Sequence, residues 1–191
     1  MMEDIRLLKK ELRAAMRARL SLVPAEDAGS ASRGVLSKLE CLEQWNRANV
    51  VLAFLSMKDE LDTTCILRQA LAQGKALAVP KVAGDNLVFY KITDIGADTA
   101  PGAFGILEPK PGLLPLELDR LPEGHSVALV PGLAFDKENF RLGRGKGFYD
   151  RFFASCGDSL YKIGIGYNFQ LLDRVPHEEH DFKLDAIILS P

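Results

Sequence analysis

The chain is poor in cysteine and histidine, with three of each among 191 residues. Cys41, Cys65 and Cys156 stand far apart. No C-x-x-C pair and no His–Cys cluster exists, which excludes a disulfide framework and a structural zinc site. They read as buried or incidental thiols of a reducing compartment. An excess of one charge is also missing: 24 Lys and Arg face 26 Asp and Glu, a net charge of −2. A general nucleic-acid binder needs a strongly basic face, so that class is excluded. No apolar run reaches the ~20 residues that span a bilayer. The first residues, "MMEDIRLLKKELRAAMRARL", lack the apolar core of a secretory signal. Against these absences, 47% of the residues are hydrophobic, enough for a sizeable core. The expectation is a soluble, cytoplasmic, monomeric protein, a single domain over residues 1–191, acting on a small molecule without nucleic acid or membrane.

Apolar periodicity gives the architecture. Ile5, Leu8, Leu12, Met16 and Leu20 recur at helical spacing, and a second helix is expected over Ala25 to Gln44. "NVVLAFLS" (49–56) reads as a strand buried on both faces. A helix, "TCILRQALAQ", follows, capped by Asp62 or Thr63 and ending at Gly74. "KALAVPKV", "LVFYKI", "SVALVPG", "YKIGIGY" and "DAIILS" supply further strands, with a helix in "GFYDRFFASC". Residues 97–124, rich in Pro and Gly, read as an ordered wrap without regular elements, in which Phe104, Ile106, Leu107, Leu113 and Leu114 need cover. Strands alternating with helices indicate an α/β fold, a three-layer α/β/α domain with a mostly parallel central sheet. Ligands of such sheets sit beyond the carboxyl ends of the strands. That directs attention to "SMKDELD" (56–62) and to "PGLAFDKENFRLGRGKG" (131–147), which share one sheet edge if their strands are parallel.

The second segment carries the chemistry. Gly143, Gly145 and Gly147 alternate with Arg144 and Lys146, with Arg141 just ahead and a helix start just behind. Glycines let backbone N–H groups converge on an oxyanion, the helix dipole adds to this, and the cations neutralise phosphate. The spacing fits neither a Walker loop nor G-x-G-x-x-G; the bland reading is a basic surface turn. Asp150, one turn into the helix, is either a dipole partner or a magnesium ligand. A second acid could come from "HEEHDFKLD" (177–185), where Asp181 and Asp185 are both possible on spacing. Lys9 and Arg13 share one helix face, which by itself reads as a solvated basic face. The histidines His125, His177 and His180 read as bystanders.

These residues resemble a known family. "PGLAFDKENFRLGRGKGFYDRF" resembles the signature of the 5-formyltetrahydrofolate cyclo-ligases, roughly P-G-x-x-F-D-x-x-G-x-R-L-G-x-G-K-G-Y-Y-D. Three more blocks follow the family pattern: the Lys9–Arg13 helix, "FLSMKDELDT" (54–63) and "VPHEEHDFKLDAII" (175–188). Two positions depart from it. Asn139 stands where the family has glycine, and asparagine tolerates left-handed backbone. Phe148 stands for the first tyrosine of the Tyr-Tyr pair, keeping a ring and losing a hydroxyl.

The resemblance implies an ATP-dependent, Mg²⁺-requiring ligase that cyclises 5-formyltetrahydrofolate, with or without a polyglutamate tail, to 5,10-methenyltetrahydrofolate, releasing ADP and phosphate. It places Lys9, Lys10 and Arg13, together with Arg141, Leu142, Gly143, Arg144, Gly145, Lys146, Gly147, Phe148 and Tyr149, around the ATP. Arg144 and Lys146 would hold the transferring phosphoryl group and act as the catalytic pair. Leu55, Glu60 and Tyr149 are assigned to folate, and Asp150 with Asp181 to magnesium, which selects Asp181 over Asp185. The rival readings are an enzyme with the same loop acting on another formamide or amide, and a folate-binding protein without turnover.

Overall fold

The structure is a computed structural model and describes residues 2–102, 106–156, 159–178 and 181–191; Phe104 and His180 lie outside the described residues. In chain order, helices α1 (Met2–Leu20), α2 (Ala25–Glu40) and α3 (Glu43–Arg47) precede strand β1 (Val50–Leu52). Helix α4 (Thr64–Ala72) leads to the hairpin β2 (Ala76–Ala83) and β3 (Asn86–Ile92). Next come α5 (Ile95–Asp98), β4 (Thr99–Pro101), β5 (Leu107–Pro109), β6 (Ser126–Val130), β7 (Ala134–Asp136) and β8 (Arg141–Leu142). Helix α6 (Phe148–Cys156), β9 (Tyr161–Gly166), β10 (Leu171–Leu172) and β11 (Ala186–Leu189) complete the chain.

The main sheet has the order β11-β9-β6-β1-β2-β3. All its pairings are parallel except the β2–β3 hairpin at one edge, so the expected mostly parallel α/β sheet is present. Alternate strand residues feed two separate cores, which explains the apolar runs. Val51, Leu77, Val79, Val127 and Leu129 pack with Met16, Leu39, Ile66 and Leu67 on the face carrying α1, α2 and α4. Leu52, Ala78, Ala128 and Val130 pack with Phe152 and Phe153 of α6 on the other. Among the described residues no helix is long and apolar enough to cross a membrane.

β1 and β6 are neighbours in parallel register, Val50 opposite Ser126 and Leu52 opposite Ala128. From β1 the chain winds outward through β2 and β3; from β6 it winds the other way through β9 and β11. Strand order therefore reverses between β1 and β6, and a crevice opens beyond their carboxyl ends. Both segments singled out in the sequence leave from that point.

Several local expectations fail for identifiable reasons. The second helix stops at Glu40, because Leu42 takes extended backbone (ψ 132°) and starts α3, which buries Trp45 completely. Gly29 and Gly34 do not interrupt α2; a Cβ at Gly34 would collide with Pro191, so this glycine admits the C-terminal residue. Of the apolar stripe of α1, Met16 and Leu20 are buried, whereas Leu8 is 46% exposed. The stretch 97–124 contains the β4–β5 pair and a 3₁₀ turn at Leu118–Arg120, and Leu107 and Leu114 are exposed rather than covered. Thr63 makes no side-chain cap for α4; Asp62 Oδ1 accepts from Thr64 N and Thr64 Oγ1 instead. A small sheet of order β10-β7-β8 has no counterpart in the sequence reading.

Candidate functional site

Beyond β1 and β6 lies a cleft of about 650 Å³. Its walls come from α1, the loop after β1, the β2–β3 edge, and the segment from Pro131 to Arg151. The segment is positioned by Asp136, a 1% exposed carboxylate. Its Oδ1 accepts from the N–H groups of Glu138 (3.0 Å) and Phe140 (2.9 Å), and its Oδ2 from that of Val175 (2.9 Å). The tight turn so held requires left-handed backbone at Asn139, which adopts φ +69°. β7 and β8 then pair antiparallel and deliver Arg141 and Leu142, both buried, to the cleft floor.

The glycine–cation loop follows. Gly145 (φ +100°) and Gly147 (φ +66°) lie in the region that other residues avoid. At Gly145 a Cβ would also stand 3.3 Å from the Arg13 guanidinium carbon. The loop carbonyls turn toward α1: Arg13 Nε donates to Gly143 O (2.9 Å) and Arg17 Nη2 to Arg144 O (3.2 Å). Among the described residues, no acceptor takes the N–H groups of residues 143–147. Such a row of N–H groups ahead of α6 can cradle an anion. Lys146, exposed at its rim, forms no ion pair among the described residues.

Lys9, Arg141 and Arg144 are ion-paired. Lys9, 6% exposed, sets Nζ 2.8 Å from Glu178 Oε2 and 2.5 Å from Asp181 Oδ2. Arg141 Nη2 lies 3.0 Å from Asp150 Oδ1, while its Nε is buried without a partner among the described residues. Arg144 donates from Nη1 and Nη2 to the two oxygens of Asp59 (3.1 and 2.7 Å) and from Nε to Glu60 Oε1 (3.0 Å). Glu60 Oε2 accepts from Met57 N at 3.0 Å. Burial pushes the Glu60 carboxyl above its ordinary value, against the opposing pull of Met57 N–H and Arg144. Burial also acts to raise Asp59, but its bonds to Arg144 outweigh this and hold it below the usual range. Burial, and then the Glu60 charge, drive the Tyr149 hydroxyl upward.

The cleft lining is thus mixed. Arg13, the glycine–cation loop and Lys146 bring N–H groups and positive charge, while Phe54, Leu55, Met57, Pro80, Val82 and Leu87 bring apolar surface. A polyanion suits the first set, and a flat, largely apolar ring system suits the second.

Among the residues singled out in the sequence, Lys9, Arg13, Leu55, Glu60, Asp150, Asp181 and the whole run Arg141–Tyr149 line this cleft. Lys10 does not: it points to solvent on another face of α1. Asp185 accepts from Lys162 N (2.7 Å) outside the cleft. His125 is exposed, and His177 stacks on Phe140 with ring centroids 3.6 Å apart, away from the cleft. The sequence reading missed Arg6, Asp59, Asp136 and Glu178. Only Arg6 had an available signal, because it precedes Lys9 by three residues on the same helix face.

For magnesium the donor set is lean. Among the described residues no group of three or more potential ligands converges. Asp150 and Asp181 both line the cleft beside the cradle, each on a cation. One or two carboxylates supplemented by phosphate oxygens and water are the usual surroundings of this ion, so the residues fit magnesium arriving with a phosphorylated ligand.

Comparisons with known proteins identify the family. The sequence profile of the 5-formyltetrahydrofolate cyclo-ligase family matches residues 6–190. The chain is similar to the 5-formyltetrahydrofolate cyclo-ligase of Mycolicibacterium smegmatis, 31% identical with 94% of this chain and 92% of the relative covered. It is also similar to that of Mus musculus, 29% identical over 94% and 92%. Among solved structures, 5,10-methenyltetrahydrofolate synthetase from Aquifex aeolicus superposes with a TM-score of 0.80 at 33% identity, covering 95% of this chain and 89% of that one.

Proposed function

Because the chain belongs to the 5-formyltetrahydrofolate cyclo-ligase family, we propose that it converts 5-formyltetrahydrofolate to 5,10-methenyltetrahydrofolate, consuming ATP with Mg²⁺ and releasing ADP and phosphate. The observation that carries this reading is the mixed lining of the cleft. N–H groups and a lysine without an ion pair among the described residues share one cleft with apolar side chains at the switch point of the sheet.

A formamide oxygen does not leave as hydroxide or water at neutral pH, so closure of the ring needs that oxygen activated. The formyl oxygen attacks the γ-phosphorus of ATP, the bond to ADP breaks, and an imidate-type phosphate forms. N10 then adds to the formyl carbon, N10 loses its proton, and phosphate departs with the former formyl oxygen. No protein nucleophile is required; the chain supplies position and charge. The N–H groups of 143–147, Lys146 and Arg13 hold the transferring phosphoryl group, and donors already in place cost no reorganisation during transfer. Leu55, Met57 and Phe148 cover the pterin and benzoyl rings, and Glu60 accepts hydrogen bonds from the pterin-bearing part. Asp150 and Asp181 would hold magnesium, which when bound neutralises phosphate oxygens.

The test is the absorbance rise of methenyltetrahydrofolate when the protein meets 5-formyltetrahydrofolate, ATP and Mg²⁺. A rise that needs all three supports the reading. Folded protein giving no rise overturns it in favour of another formamide substrate or a binding protein without turnover.

A further inference from the structure

The sequence pattern places Arg144 beside Lys146 in a phosphate loop, yet the structure gives its guanidinium other work. All three of its donor nitrogens bond carboxylates: Asp59 twice, as a fork, and Glu60 once, at 2.7–3.1 Å. The residue is held at its other end too, because Arg17 donates to its carbonyl. Opposite charge acts on both sides of the fork. Burial would lower Arg144, but Asp59 and Glu60 hold it above its ordinary value, as it holds Asp59 below. Three of its five N–H groups are thus committed to two acids that also fix its plane and offset its charge, so a phosphate would have to compete with both carboxylates for it.

We infer that Arg144 is a positioning residue for the folate-class substrate rather than a phosphate ligand: its clasp on Asp59 and Glu60 fixes the loop after β1 against the glycine–cation loop. This inference rests on the proposed function. The clasp joins the two segments that leave the switch point, one from β1 and one following β6. Glu60, which lines the cleft, has one oxygen set by Arg144 Nε and the other by Met57 N. The fork therefore sets where Glu60 and Met57 stand relative to the phosphate cradle. That separation decides whether the formyl oxygen lies in line with the γ-phosphorus.

Asp59 makes the inference testable because it does not line the cleft. Its side chain bonds only Arg144 among the described residues, so it reaches the reaction through that arginine. The experiment is a double-mutant cycle in full steady-state kinetics, varying ATP and 5-formyltetrahydrofolate separately. The proteins are wild type, Asp59→Ala, Arg144→Ala, the double variant and Arg144→Lys, each checked for wild-type circular dichroism. Loss of charge-assisted bonds predicts roughly a tenfold rise in KM for 5-formyltetrahydrofolate in each single variant. The double variant should be no worse than the poorer single one, and KM for ATP should stay within about twofold. Arg144→Lys keeps the charge but loses the fork, so it should behave like Arg144→Ala.

The inference is overturned if Arg144→Ala raises KM for ATP, if Asp59→Ala is unaltered, if the two losses add, or if lysine restores the wild-type constants. Any of these would return Arg144 to the phosphate. An inactive wild type would bring down the proposed function and this inference with it; an active wild type with the wrong variant pattern overturns the inference alone.

Discussion

Replacing Lys9 by methionine keeps the aliphatic stem that lies along α1 and removes only the ammonium group. The structure fixes what that should cost. Lys9 is 6% exposed, and its Nζ is shared by Glu178 and Asp181 at 2.8 and 2.5 Å. Removing one member of a buried ion pair costs about 3–5 kcal/mol, because the opposite charge stays behind. Here the two carboxylate side chains are 17% and 19% exposed, so water recovers part of the loss and about 2–4 kcal/mol is expected. For a chain of this size each kcal/mol lowers Tm by about 2–4 °C, giving a fall of about 5–15 °C. Differential scanning calorimetry of Lys9→Met at neutral pH reads it. Lys10→Met is the control: that side chain is exposed and unpaired among the described residues, and its Tm should move by about 1 °C at most. A Lys9→Met protein that melts with wild type would refute the buried clasp and return Lys9 to a solvated basic face.

Lys146→Ala should leave Tm unchanged within about 1 °C, since the side chain makes no ion pair among the described residues, while kcat for methenyltetrahydrofolate formation falls roughly 100-fold or more. Wild-type turnover in this variant would remove the lysine from phosphoryl transfer. Asp136→Ala strips the acceptor from three backbone N–H groups and should cost about 3 kcal/mol or more in urea unfolding, with activity lost along with the loop geometry; a cost under about 1 kcal/mol would deny its bracing role. Glu60→Gln tests the buried carboxyl. Burial raises the folded pKa above the ordinary 4.5, so the stability Glu60 contributes is fully present below that value and is lost as pH rises through the folded pKa. The stability of wild type relative to Glu60→Gln should therefore decline as pH rises above 4.5 in urea titrations; a constant difference would contradict the shift.

Much of this site is legible in the sequence because its signals are local. Alternating glycines and cations before a helix signal a loop whose N–H groups can meet an anion, and the apolar runs "NVVLAFLS" and "SVALVPG" signal buried strands, found as the shorter β1 (Val50–Leu52) and β6 (Ser126–Val130). Their adjacency follows from the strand-order rule once both are strands. What was not legible depends on contacts between distant segments. Nothing local in "SMKDELD" announces that Asp59 and Glu60 are clasped by Arg144, more than eighty residues away. Asp136 reads as a loop residue until Val175 approaches. Lys9 reads as a surface cation because nothing in residues 1–20 announces Glu178 and Asp181. Lys10 marks the converse error: resemblance extended along a helix by one residue crosses about 100° and leaves the site face.

The central claim is that the formyl oxygen is activated by phosphorylation and leaves as part of phosphate. The most direct measurement is a single-turnover reaction of 5-formyltetrahydrofolate labelled with ¹⁸O at the formyl oxygen, with ATP and Mg²⁺, followed by mass analysis of the inorganic phosphate. The account predicts one ¹⁸O in the phosphate for each methenyltetrahydrofolate formed. Methenyltetrahydrofolate formed with unlabelled phosphate would contradict it, since the oxygen would then have left by a route that the cradle and Lys146 do not serve.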